Sequence, residues 1–183
     1  MDRIGEMTFA LRRHLDLACE HAAILVALAH HRLTPLDPLN QLRERQRALL
    51  HDQVHLFSFH ARKAIELAGS ESAASSLRLA SADDTPPREI TDIGIASHTT
   101  KDLWWVLNRI VHSQLLSFGE AETVDSAAAW TADPGRSYWT LSVFSVRSDR
   151  DEADAEHWVE VYHLVRAFLT LLPLLEQRAG DQR

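Results

Sequence analysis

His112 can move a proton near neutrality, because an imidazole has an ordinary pKa near ~6.5 and serves equally as general base or general acid. Arg109 stands three residues earlier, and its planar guanidinium is suited to holding developing negative charge. Asn108, one helical turn before His112, can orient the imidazole or bind an oxygen of a bound anion. These three residues form the candidate catalytic set, and the chemistry calls for no cofactor. The same side chains also suit structural work, with Asn108 and His112 capping or bridging helices and Arg109 pairing with a carboxylate.

The element that must position them is predicted as one helix over Lys101–Phe118, with Thr99 or Thr100 as its cap and Asp102 in its first turn. At 3.6 residues per turn, Leu103, Leu107, Ile110, Val111 and Phe118 make a core stripe, with Trp104 and Leu115 at its edge. The opposite side carries Trp105, Arg109, His112 and Leu116. Large apolar groups away from the core indicate a partner surface, so Trp105 and Leu116 are the candidate interface residues.

The run Leu107-Asn108-Arg109-Ile110-Val111-His112 resembles the motif helix of HEPN-type domains, helical bundles in which an Arg and a His form an RNase site across a dimer interface. Asn108 and His112 match that motif in type and spacing. Leu107 stands where its Arg is expected, and Arg109 follows two positions later. The resemblance implies a HEPN-like four-helix up-down bundle, metal-independent RNA cleavage or a part in RNA-linked defence or stress systems, and a homodimer built through this helix. A non-catalytic helical module that dimerises or binds a protein partner is the alternative.

Elsewhere the chain also reads as mainly α. Apolar residues at spacings of three and four run from Arg3 to Arg32, and again from Leu39 to Ala68 with Gly69 as a stop; Thr34–Pro38 connects the two helices tightly. Residues 70–97 read as a mobile connection in which Ala73–Ala80 can form a helical turn or two. Tyr138–Val146 alternates like a strand and, with Ala127–Thr131 across a turn at Ala132–Arg136, predicts a small hairpin insertion over 126–147. The last helix is expected over Asp151–Gln177, with Val161, Leu164, Val165, Phe168 and Leu172 inward and Pro173 kinking or ending it. The whole is expected to be one domain over 1–183.

Composition narrows the partners. A net charge of -7 argues against a strongly electrostatic nucleic-acid binder, yet all but two of the 19 basic residues are Arg, which suits a local phosphate site. Arg43–Arg47 is either such a contact or a solvated face. The single cysteine, Cys19, allows no internal disulfide, no stretch is apolar enough to span a membrane, and Asp2, Arg3 and Glu6 are unlike a signal peptide; a cytoplasmic location follows. Eleven histidines raise a metal alternative, in which His51 and His55 share one ion with His14, Glu20, His21, Glu160 or His163 from other helices. His60 reads instead as a satisfied, half-buried histidine.

Overall fold

The computed structural model describes residues 3–31, 40–79, 101–124, 137–148 and 157–181. The three- and four-residue apolar spacing yields α1 (Arg3–Ala29) and α2 (Asn40–Leu67), close to the predicted bounds. Leu11, Leu15 and Leu25 of α1 are buried together with Leu50, Val54 and Phe57 of α2. The helices are antiparallel, since His14 meets His60 while His21 meets Gln53. Their connection, Thr34–Pro38, lies outside the described residues.

Gly69 stops α2 for a physical reason. Its φ of 59° is a left-handed conformation that costs glycine little, and it lets Gly69 N–H donate to Glu66 O at 3.1 Å and Ser70 N–H to Ile65 O at 3.0 Å. A short helix, α3 (Glu71–Ser76), follows at once, so the start of the expected mobile connection is structured. Leu79 N–H donates to Lys101 O at 3.2 Å and Leu103 N–H to Leu77 O at 2.8 Å, closing an isolated antiparallel bridge that fixes where the next helix begins. The remainder of that connection lies outside the described residues.

The central helix is shorter than the sequence pattern predicts. It is α4 (Leu103–Val111), capped not by Thr99 or Thr100, which lie outside the described residues, but by Asp102, whose carboxylate accepts from Trp105 N–H at 2.8 Å. From Ser113 the chain becomes β1 (Ser113–Val124), which pairs antiparallel with β2 (Ser137–Ser148). The expected Tyr138–Val146 strand is therefore present, but its described partner is 113–124; residues 127–131 lie outside the described residues. Leu116 opposes Val146, and Phe118 opposes Phe144 with ring centroids 5.3 Å apart.

β2 is the central strand, flanked on its other edge by β3 (His157–Glu160), and α5 (Val161–Asp181) begins immediately after β3. The last helix thus starts ten residues later than predicted. It does not end at Pro173, which is exposed, as is Leu169 four residues earlier. Water on that side can satisfy the carbonyl that proline leaves without a partner. Phe168 meets Phe57 edge-on at 5.4 Å, joining α5 to α2, while Leu172 is only partly buried. The described residues are mainly helical, with five helices and one three-stranded sheet where four helices and a hairpin were expected. No described helix is long and apolar enough to cross a membrane.

Candidate functional site at the α4 cleft

The amphipathic pattern of α4 determines what its outer side presents. Leu103, Val106, Leu107 and Ile110 are fully buried, so Trp104, Trp105, Asn108, Arg109 and His112 are left half-buried or exposed. Leu107, in the expected Arg position of the motif, is a core residue. Residues from α2 and α3 join this outer side to form a cleft of about 530 Å³ lined by Arg62, Ser75, Asp102, both tryptophans, Asn108, Arg109 and His112. All three candidate catalytic residues and Trp105 therefore line one depression.

Asn108, Arg109 and Trp105 each have a definite tether. Asn108 Nδ2 donates to Trp104 O, one turn back, at 2.9 Å. Arg109 lies over the Trp105 ring at 4.8 Å from its centroid and donates to Ser148 Oγ at the end of β2. Trp105 also receives Lys101 at 5.4 Å and the edge of His157 from β3 at 4.6 Å. It is thus held within its own chain on several sides. His112 follows α4 as its C-terminal cap and is exposed.

Arg62 is the residue that the sequence pattern did not bring to this site. It crosses from α2 to lie 5.9 Å from the Trp104 ring centroid, with Glu66 accepting from it at 2.7 Å. Among the described residues, Arg62, Arg109 and Lys101 stand beside Asp102 and Glu66 at this site. Guanidinium groups beside indole faces suit an anion attached to a planar ring. No family model, curated protein or solved structure matches this chain.

The other sequence candidates lie elsewhere. Leu116 is half-buried in a second cleft, also about 530 Å³, bounded by Arg47, His51, Asp52 and Phe118, so Leu116 and Trp105 do not share a surface. His51 and His55 do stand side by side, with ring centroids 4.7 Å apart, and burial followed by the charge of His51 lowers the pKa of His55. The remaining proposed ligands are divided: His14 and His21 line the α1–α2 seam, whereas His163 pairs with Glu160 at 3.1 Å. Among the described residues no group of three or more side chains is arranged to hold a metal ion.

Arg43 and Arg47 do not form a free basic face. Both reach Glu120 of β1, at 3.1 and 3.0 Å, tying α2 to the sheet. Cys19 is half-buried, and burial, followed by Glu176 and Asp16, raises its thiol pKa, which leaves it a poor nucleophile.

Proposed function

We propose that this protein is a HEPN-like, metal-independent RNA-cleaving protein that acts as a homodimer in an RNA-linked defence or stress system, with the α4 cleft as its site. The observation that carries this reading is the gathering of His112, Arg109 and Asn108 with Arg62 and two indole faces in one cleft. The cation missing at Leu107 is supplied from α2. Arg62 and Arg109 hold the scissile phosphate, while a flanking base rests on an indole face.

His112 takes the proton of the ribose 2′-hydroxyl as its oxygen attacks phosphorus. The P–O5′ bond then breaks, and the departing 5′ oxygen takes a proton from the imidazolium or from water. The products carry a 2′,3′-cyclic phosphate and a 5′-hydroxyl. The Asn108 carbonyl oxygen, fixed by the Nδ2 tether, orients the imidazole or the attacking hydroxyl. Incubating total RNA and tRNA with untagged protein in EDTA, beside folded His112→Ala and Arg62→Ala variants, tests this directly.

A second reading has specific support. Asn108 is bonded to its own helix and Arg109 to Ser148 and Trp105, so both also hold the fold. A non-catalytic partner-binding module is the function if the wild type leaves RNA intact.

A further inference from the structure

The outer face of the α1–α2 hairpin is unlike an ordinary solvated helix surface. Leu42, Leu49 and Leu56 follow one another every seven residues on α2, and they are 57%, 50% and 40% exposed. On α1, Leu17 and Ile24 share that spacing, the first half-buried and the second 38% exposed. Three polar rungs fix how the rows lie: His14 to His60 at 2.8 Å, His21 to Gln53 at 2.8 Å, and Gln46 to the Leu28 carbonyl at 2.7 Å. In antiparallel helices those rungs bring Leu17 level with Leu56 and Ile24 level with Leu49. The polar rungs form a floor between two aliphatic ridges.

A seven-residue repeat is the spacing at which side chains seat between those of another helix. The core already has its own stripe on these helices, through Leu11, Leu15, Val54 and Phe57. The outer rows are therefore a second seam, turned away from the core.

We propose that this face binds the same face of a second copy of this chain, so that two α1–α2 hairpins form an antiparallel four-helix core. The pattern is self-complementary, because a twofold axis through the middle of the face sets Ile24 of one copy against Leu17 of the other, and Leu49 against Leu56. The same axis brings Glu20 of the two copies close together, and Asp52 likewise, so it is the apolar rows and not charge that hold the pair.

The size also fits. α1 and α2 have 27 and 28 residues, and at ~1.5 Å per residue and a spacing of about 10 Å they offer on the order of 800 Å² per partner, as a stable interface requires. Once covered, the His and Gln rungs become buried polar layers that set the register of the pair. The cleft with Arg62 lies on the other flank of α2 and stays open in this dimer. The assignment shares only the homodimer with the proposed function and does not depend on RNA cleavage.

Light scattering of the full chain at micromolar concentration tests it. The expected result is twice the 20.7 kDa chain mass for wild type and for Trp105→Glu, and the single-chain mass for Leu49→Glu/Leu56→Glu with helical circular dichroism unchanged. Ile24→Arg is read in the same way and decides the matter should the double variant lose its helices. A monomeric wild type, or a dimer that survives in the folded variants of this face, overturns the proposal. Cleavage of RNA is scored separately, so failure of one reading does not pass for failure of the other.

Discussion

At the residue scale, Arg62 brings a guanidinium from α2 into the cleft formed around Asn108, Arg109 and His112. Asn108, Arg109 and His112 were legible because they lie within one turn of each other at the end of α4, the first two in the helix and His112 as its C-cap. Arg62 was not legible, because the rest of α2, all of α3 and a long connection separate it from Trp104 in the chain, and only the packing of α2 on α4 brings the two together. Under the proposed mechanism His112→Ala lowers RNA cleavage by about 10²–10⁴-fold, the range for removing a general acid–base group. Arg62→Ala should lower it as well, with the fold intact, since that guanidinium is half-buried at the cleft edge. Single-turnover assays on a short RNA give both values; unchanged rates in either variant remove that residue from the mechanism. Asp102→Ala removes the α4 cap and should cost about 1 kcal/mol of stability in urea unfolding.

At the element scale, the sequence pattern was reliable where it was long and ambiguous where two periods coincide. α1 and α2 repeat their apolar spacing over many turns, and the structure keeps their bounds within a few residues. Gln114–Phe118 is short, and its Leu115, Leu116 and Phe118 satisfy a helix stripe about as well as a strand face. Tertiary structure decides it: β2 is twelve residues long, and its backbone groups find their antiparallel partners in 113–124. The start of α5 was misplaced for a related reason, because His157–Glu160 pairs with Val143–Val146 before the helix begins. Gly69 tests the logic of element ends. A Cβ there meets nothing within 4 Å, so Gly69→Ala should lose about 1 kcal/mol purely through the left-handed φ, and an unchanged midpoint in thermal unfolding would contradict that account.

At the scale of the whole molecule, histidines buried between elements make stability depend on pH. Burial is the largest cause that lowers the pKa of His14, His30, His55 and His60 below the ordinary 6.5; Lys63 and Arg13 add to it at His14, and His14, His21 and Arg13 at His60. Between 6.5 and the lowered values the unfolded chain binds more protons than the folded one. Stability is therefore full above that window and falls as the pH drops through it. The thermal midpoint should be lower at pH 5.5 than at pH 7.5, and His14→Gln/His60→Gln should flatten the difference; a midpoint that does not fall on acidification contradicts it. The same molecule then has two separable surfaces, a cleft at α4 lined by Arg62 and Arg109 and an apolar seam on α1 and α2.

Cleavage of tRNA by untagged protein in EDTA, beside folded His112→Ala, decides whether the α4 cleft is an RNase site. If the α4 cleft cleaves RNA, the wild type yields fragments ending in cyclic phosphate and the variant yields about 10²-fold less or lower. Intact tRNA in the wild-type lane, or equal cleavage in both, contradicts it.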